Sequence, residues 1–216
     1  MTTPDSTRDD NRSRQKRVGD ALRQDTRNRL LDAAESEFAA KGYAATTVAG
    51  LAAAAGVSLQ TLYLAWGSKR ALLRGYMEKV LAGEAESPDD AAERFSGDLE
   101  PSARLQLLAT LVTDVARRAA TGWSLYRDAA AVDPEIAEDW TDLQRKRHQL
   151  FTRIVGGIPA EQLSPGTTPE QAIDTAWTIA SPETYDLLVN RLGYGLIEYR
   201  QWLERTLRSA LLAGDR

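Results

Sequence analysis

The stretch LAAAAGVSLQTLYLAWGSKRALL, residues 51–73, decides the fold of the N-terminal part of the chain. A run of alanines ends at Gly56, and Ser58 then begins a second short segment of helical composition. Two short helices that cross at about 90–120° need a small side chain where their backbones approach, and a residue in the turn that accepts a positive φ. Ala52 and Gly56 meet these two needs. The stretch therefore predicts a helix-turn-helix.

The residues before this stretch predict the helices that complete a three-helix unit. From Asp25 or Thr26, the segment RNRLLDAAESEFAAKG ends at a glycine suited to a helix C-terminus, and it carries one apolar stripe, Leu30, Ala34 and Phe38. Thr46 or Thr47 is a natural N-cap for the second helix, and Ser58 for the third.

The third helix is expected to turn Val57 and Leu62 toward the second helix. Its outer face is then short, polar and uncharged, and consists of Ser58, Gln60, Thr61 and Tyr63. Gln forms bidentate hydrogen bonds with adenine, and Ser and Thr bond base edges or phosphates, so this face suits the major groove of DNA. The spacing of Ala52 and Gly56 alone also fits two amphipathic helices that merely meet in a bundle.

The segment TTVAGLAAAAGVSLQTLYLAWGSKRALL resembles the DNA-binding region of the TetR family of bacterial transcriptional regulators. The residues that fall in register with the family's pattern are Thr47-Val48, Leu51-Ala52, Ala55-Gly56-Val57-Ser58, Thr61-Leu62-Tyr63, Trp66, Ser68-Lys69 and Leu72-Leu73. The chain departs from the pattern at Ala65, where the family usually carries His or Tyr, and at Trp66, which replaces the commoner Phe. The resemblance covers residues 25–80.

The resemblance implies roles for individual residues. Thr47, Tyr63 and Lys69 would hold phosphates, and Gln60 and Thr61 would read bases beside the cap Ser58. Lys69 would lie near the start of a fourth helix, whose N-terminal amides also favour an anion. The alternatives are that Thr47 is only a helix cap, that Tyr63 is half-buried against Leu30, and that Lys69 is simply solvated.

Charge is unevenly distributed along the chain. The net charge is -4, but residues 1–80 carry +4 and residues 81–216 carry -8. Because attraction to phosphate needs local cations and not a positive total, this asymmetry indicates different partners for the two parts. Residues 1–24 are polar and are expected to form a mobile arm, in which four cations could enter a minor groove or simply be solvated: Arg12, Arg14, Lys16 and Arg17.

The remainder of the chain predicts further helices and no sheet, so the expected fold is all-α: a helix-turn-helix domain over residues 25–72 and a helical bundle over 73–216. The acidic segment 87–101 predicts a loop between the fourth and fifth helices. Pockets in helical bundles are usually apolar and aromatic. The candidate residues for binding a small-molecule ligand are Trp123, Tyr126, Arg127, Trp140, His148 and Trp177. The alternative for each aromatic is that it belongs to the ordinary core or to a dimer seam, and the three cations beside His148 favour a solvated position for it.

Two helical segments near the C-terminus carry broad apolar stripes, and they predict a homodimer. The assigned interface residues are Ala172, Ala176, Ile179, Tyr199, Trp202, Leu203, Thr206, Leu207 and Ala210. The segment from Trp177 to Leu212 also resembles, more weakly, the C-terminal half of several TetR-family members, which dimerise through their last helices. The alternative is that the stripes pack only within one protomer.

Several classes of function are disfavoured. The chain has no cysteine and one histidine, and it lacks a phosphate-cradling glycine loop and a nucleophile elbow, so an enzyme, a cofactor and a metal site are not expected. It has no long apolar run, so no membrane partner is expected and the cytoplasm is the expected location. The sequence predicts a dimeric regulator, most readily a repressor, that binds a palindromic operator of double-stranded DNA and is released by a small effector. A transcriptional activator and a helical adaptor without an effector are the alternatives.

Overall fold

A computed structural model describes residues 6–82, 94–95, 97 and 99–214. These residues are predominantly α-helical and contain no β-strand, apart from a single bridge between Leu163 and Leu212. The expected all-α fold is confirmed. The chain divides into two compact units, Met1–Tyr76 and Met77–Arg216, whereas the sequence placed the boundary after residue 72.

The N-terminal unit is built from α1 (Ser6–Ala45), α2 (Val48–Ala54), α3 (Leu59–Trp66) and the first part of α4 (Lys69–Ala82). Helix α1 is interrupted at Gly42, whose φ of 73° lies in the region that favours glycine. The predicted stripe of Leu30, Ala34 and Phe38 is fully buried. It packs in a core to which α2 and α3 contribute Leu51 and Leu62, and α4 contributes Leu72, Leu73 and Tyr76.

Helix α1 begins at Ser6, earlier than the expected start at Asp25 or Thr26. From residue 14 to residue 25 nearly every side chain is exposed, including the cations Arg14, Lys16 and Arg17, while the side chain of Arg12 lies outside the described part. The segment is rich in Arg, Lys and Gln, which have high helix propensity. An ion pair between Asp20 and Arg23, three residues apart, adds local support. The sequence reasoning missed this extension because it relied on an apolar stripe, and this part of the helix has none.

The C-terminal unit contains α5 (Pro101–Ala130), α6 (Pro134–Val155), α7 (Pro169–Ile179), α8 (Pro182–Tyr185) and α9 (Leu196–Leu211). A π-helical segment, Asp186–Arg191, continues α8. Proline occupies the first turn of α5 to α8, where its missing N–H costs nothing. The predicted loop at 87–101 falls between α4 and α5, and residues 83–93, 96 and 98 lie outside the described part.

The core of the C-terminal unit lies where α5, α6, α7 and α9 pack together. Helix α9 buries Leu203, Leu207 and Leu211, and α5 buries Leu105 and Leu108. No single helix among the described residues is long and apolar enough to cross a membrane, and only the sharply bent pair of α2 and α3 meets that test when the two are taken together.

Arginine side chains join several of these helices. The guanidinium of Arg104 is buried and donates to the carbonyls of Phe95 and Ile154, and Arg118 donates to Val80 and Leu81 near the end of α4. The last carbonyls of a helix have no partner within the helix and carry a partial negative charge, so a cation from a neighbouring helix stabilises them. Arginine thus acts as a cap supplied from outside the helix.

Candidate DNA-binding and ligand sites

Helices α2 and α3 cross at 100°, within the range of a helix-turn-helix. Gly56 in the turn has a φ of 64°, and the N–H of Val57 donates to the carbonyl of Ala52 at 2.9 Å. Ala52 is buried where the two helices meet, as the sequence predicted. A side chain at position 56 would adopt a strained backbone, and its Cβ would lie 2.9 Å from Arg29 Nη2.

The outer face of α3, which we call the reading face, consists of Ser58, Gln60, Thr61 and Tyr63. Gln60 and Tyr63 are exposed, and among the described residues no hydrogen bond engages the amide of Gln60. Ser58 caps the helix by accepting from the Thr61 N–H at 3.0 Å, and the two hydroxyls are 2.7 Å apart. Thr61 is half-buried. The side-chain amide of Gln60 is therefore exposed and without a partner in the described structure.

Thr47 is exposed at the N-terminus of α2 and caps it, since its hydroxyl accepts from the N–H of Gly50 at 3.0 Å. Lys69 holds the turn just before Thr47. Its ammonium donates to the carbonyls of Tyr43 and Thr46, at 2.9 Å each, and lies 4.0 Å from the centre of the Tyr43 ring. These contacts support a role for Lys69 in positioning the turn, which neither the phosphate assignment nor the solvated alternative included.

Two arginines of α1 contact the helix-turn-helix, and sequence reasoning missed both. Arg29 donates to the carbonyls of Ala55 at 2.6 Å and Gly56 at 3.2 Å, at the end of α2. Arg27 donates to the carbonyl of Ala65 at the end of α3, and its guanidinium lies 3.9 Å from the centre of the Trp66 ring. The available signal was that α2 and α3 have no basic residue in their last turns, where a cation from a neighbouring helix is stabilising.

Trp66 stands where the TetR family usually has Phe, and Gly75 on α4 leaves space for its larger ring. A Cβ built at Gly75 would lie 2.2 Å and 2.3 Å from two atoms of the Trp66 ring, much closer than real contacts allow. The larger indole therefore fits because position 75 has no side chain. Arg27 on one side of the ring and Gly75 on another fix the end of the recognition helix α3.

The six candidate ligand residues do not form one group. Trp123 and Tyr126 of α5 contact Trp140 of α6, with ring centres 5.4 Å and 6.4 Å apart. A second group contains His148 and Trp177, whose ring centres are 5.9 Å apart. In this group His148 Nε2 lies 2.8 Å from Asp174 Oδ1. Trp140 and His148 are eight positions apart in the sequence, which corresponds to about 12 Å along the axis of α6. The last candidate, Arg127, is exposed and pairs with Asp128.

Arg147 lies at the centre of the second group, and sequence reasoning had taken the cations around His148 as a sign of a solvated face. Its guanidinium donates to the carbonyls of Trp177 at 2.6 Å and Ala180 at 2.9 Å, at the end of α7. It also lies 4.9 Å from the Phe151 ring centre and 5.0 Å from that of Trp177. Burial lowers the pKa of Arg147 to about 10, so it remains charged at neutral pH.

Tyr199 is the most unusual polar residue near Arg147. The side chain is 0% exposed, and its hydroxyl has no hydrogen-bond partner in the described structure. Burial raises its pKa, so the phenol is neutral. Trp177 Nε1 and Gln144 Oε1 are also buried without a partner. Such groups are rare in native proteins and each calls for a specific explanation, such as a bound molecule.

The residues assigned to a dimer interface divide into two sets. Ala172, Ala176, Tyr199, Leu203 and Leu207 are buried in the core of this protomer, because α9 turns its leucine stripe inward against α5. Ile179, Trp202, Thr206 and Ala210 keep accessible surface. Four further apolar side chains between residues 187 and 197 are exposed: Leu187, Leu192, Leu196 and Ile197.

Within the part of the chain that the structure describes, no three His, Asp or Glu side chains are grouped so that they could hold a metal ion. The described chain thus consists of a helix-turn-helix unit followed by a second, all-helical unit.

Comparison with known proteins finds a family match within the N-terminal unit. Residues 30–76 match the model of the bacterial regulatory proteins of the tetR family. No curated protein sequence matches the chain.

Solved structures of similar fold cover most of the chain. NalD, the secondary repressor of the MexAB-OprM multidrug efflux pump in Pseudomonas aeruginosa, is 21% identical with a TM-score of 0.70, over 88% of this chain and 98% of its own. SmeT in complex with triclosan is 20% identical with a TM-score of 0.70, and the match covers 88% of this chain and 93% of SmeT. A TetR regulator from Haloarcula marismortui is 16% identical with a TM-score of 0.65, over 87% and 99%. At these identities the likeness shows the fold.

The resemblance to the TetR family is confirmed over residues 30–76, which match the model of that family's regulatory proteins, and the solved structures show that the whole chain shares their fold. Regulators of this family are DNA-binding proteins without catalytic activity.

Proposed function

We propose that this chain represses transcription by binding a palindromic operator as a homodimer, and that a small amphipathic effector releases it. The observation that carries the proposal is the reading face, which presents the unengaged amide of Gln60 on a helix held at 100° to α2. Occupancy of promoter DNA would block transcription without any catalysis.

DNA binding divides into base reading and phosphate contact. Gln60 is proposed to bond adenine with both amide atoms, with Thr61 beside it. Thr47 and Tyr63 are exposed and are proposed to hold phosphates. Lys69 is proposed to act through the turn that it holds, because two of its N–H groups already bond backbone carbonyls. The exposed cations of α1, Arg14, Lys16 and Arg17, would add attraction to the phosphate backbone.

The dimer is proposed to form on the accessible surface of α8 and α9. This surface combines the exposed side chains Leu187, Leu192, Leu196 and Ile197 with the accessible parts of Ile179, Trp202, Thr206 and Ala210. A two-fold contact uses the same patch of both subunits. It would set two recognition helices about 34–36 Å apart, or a multiple of that, and this spacing requires a palindromic operator.

The effector is proposed to bind beside Arg147, where Tyr199, Trp177 and Gln144 bury polar atoms that lack partners. A molecule with an aromatic body and a hydrogen-bonding group would pack on the rings and engage these atoms. The structure of SmeT with triclosan supports this idea, because a small molecule binds a protein of the same fold. The cluster of Trp123, Tyr126 and Trp140 is a second place where such a body could pack.

Release would follow from a population shift. An effector that binds better to a conformation with misaligned recognition helices lowers DNA affinity by the ratio of its affinities for the two states. If occupancy of the operator recruits polymerase, the same binding makes the chain an activator. A helical adaptor without an effector would bind no DNA sequence.

Selection of bound fragments from a random DNA pool tests the proposal most broadly. We expect enrichment of a sequence with two inverted half-sites, whose binding weakens steeply as salt rises. Enrichment of no sequence would contradict the proposal and favour the adaptor. Reporter transcription from a promoter that carries the selected sequence then separates a repressor from an activator.

Changing Gln60 to Ala tests the base contact. We expect the variant to lose about 1–3 kcal/mol of discrimination between operator variants at one base pair of each half-site. Leu22→Ala, an exposed change on α1, serves as the control and should retain full discrimination. Affinities from fluorescence anisotropy decide the outcome, and an equal loss on all sequences would show that Gln60 reads no base.

A further inference from the structure

Leu64 is the most exposed large apolar side chain of the described residues. It lies on the recognition helix α3 and is 81% exposed, and Leu59 and Tyr63 of the same helix are also exposed. Exposure of one leucine is ordinary, but here three of the eight residues of one helix are exposed apolar side chains. Because Leu64 is almost entirely in solvent, the stability of the fold does not account for it.

The position of Leu64 relative to Gln60 suggests its partner. Residues four apart lie on the same side of an α-helix, one turn apart, so Leu64 extends the reading face beyond Gln60. Their separation along the axis is about 6 Å, against a rise of about 3.4 Å per base pair in DNA. If Gln60 reads one base pair, Leu64 reaches a pair one or two steps away.

An apolar side chain in the major groove has one specific feature to recognise. Base edges there present hydrogen-bond donors and acceptors, except for the C5-methyl group of thymine. Leu64 has no hydrogen-bonding group, so contact with any other edge would bury polar atoms without compensation.

We propose that Leu64 is a specificity-determining residue that packs against the C5-methyl group of a thymine in each half-site, one or two base pairs from the adenine read by Gln60. This inference rests on the proposed function, since it requires that α3 enters the major groove. It adds an apolar contact to a reading face otherwise defined by polar groups.

Replacing thymine by deoxyuridine removes this methyl group and leaves base pairing unchanged. The experiment uses the full chain and the operator obtained by selection, with each thymine of the half-site replaced in turn. Burial of one methyl group corresponds to about fourfold in affinity, so we expect a loss of about fourfold at one position, and about fifteenfold when both half-sites are replaced.

The variant Leu64→Ala assigns the effect to the side chain. It should bind the thymine and deoxyuridine operators almost equally, and its melting temperature should match that of the wild type because the position is exposed. Val132→Ala, an exposed change in the C-terminal unit, should retain the full methyl dependence.

The outcomes separate the inference from the function on which it rests. A methyl dependence that persists in Leu64→Ala, or an operator in which no thymine shows a methyl dependence, overturns the role of Leu64 and leaves DNA binding intact. Failure of the wild type to enrich any sequence overturns the proposed function itself.

Discussion

At the scale of single residues, the proposed effector site contains three of the six buried polar side-chain atoms without partners in the described structure, those of Tyr199, Trp177 and Gln144, and the others belong to Trp66, Arg104 and Arg208. The hydroxyl of Tyr199 is buried without a partner, whereas Tyr185, whose ring centre is 5.1 Å away, has no such orphaned atom. An unsatisfied buried group costs about 1–3 kcal/mol, which a ligand that bonds it would recover. We infer that these unsatisfied groups lower the stability of the free protein and serve to bind a ligand.

Changing Tyr199 to Phe should therefore stabilise the free protein. Removal of the orphaned hydroxyl is expected to raise the free energy of unfolding by about 1 kcal/mol or more, and the melting temperature by about 2–4 °C. The same variant should respond less to any effector that releases the wild type from DNA.

Thermal unfolding followed by circular dichroism measures the effect of Tyr199→Phe. Tyr185→Phe is the matched control and should not raise the melting temperature, because it removes no orphaned group. A Tyr199→Phe variant that is less stable than the wild type would show that the hydroxyl has a partner.

At the scale of elements, the recognition helix is positioned by neighbours that are distant in the sequence. The motif at residues 47–73 was sufficient to predict α2, α3, the turn at Gly56 and the exposure of Gln60. It did not predict Arg27 or Gly75, which fix the end of α3 through Ala65 and Trp66. Such pairings depend on how α1 and α4 pack against α3, and helical periodicity carries no information about them. Arg147 was missed for the same reason.

Changing Gly75 to Ala should destabilise the N-terminal unit. The new Cβ would overlap the Trp66 ring, and overpacking of this kind costs about 1–3 kcal/mol. Combining it with Trp66→Phe removes the part of the indole that clashes, so the double variant should recover most of the loss. Chemical denaturation of the four proteins measures the coupling, and equal effects of Gly75→Ala in both backgrounds would contradict the assigned contact.

Changing Lys69 to Met tests the turn between α1 and α2. The variant keeps the aliphatic stem and removes the two hydrogen bonds, so DNA affinity should fall for all sequences. If Lys69 acts through the turn, the slope of affinity against salt should match that of Lys79→Met, which removes an equal charge from the exposed end of α4. A slope flattened by about one unit relative to that control would instead show direct phosphate contact.

At the scale of the whole molecule, the proposed function requires two copies of the chain. The apolar stripes of α7 and α9 suggested a dimer, but five of the nine assigned residues serve the core of one protomer. Periodicity identifies an apolar face without stating whether the face is covered by the same chain or by another. We therefore centre the proposed interface on the exposed leucines and isoleucine between residues 187 and 197, and no longer on the stripes of α7 and α9.

Changing Ile197 to Asp should weaken the dimer, because it places a charge in the centre of the proposed apolar contact. Sedimentation velocity should show a shift to monomer at concentrations where the wild type is dimeric, together with loss of operator affinity. Val132→Asp carries the same charge on an exposed position elsewhere and should remain dimeric. A wild-type chain that is monomeric at every concentration would contradict the proposed assembly.

The most direct measurement is the affinity of the full-length protein for its selected operator, and for the same duplex with one half-site scrambled, over a range of salt concentrations. We predict tighter binding to the intact operator at every salt concentration, and a log–log slope that corresponds to several phosphate contacts. Equal affinity for both duplexes, or binding that does not change with salt, would contradict the claim that α3 reads DNA.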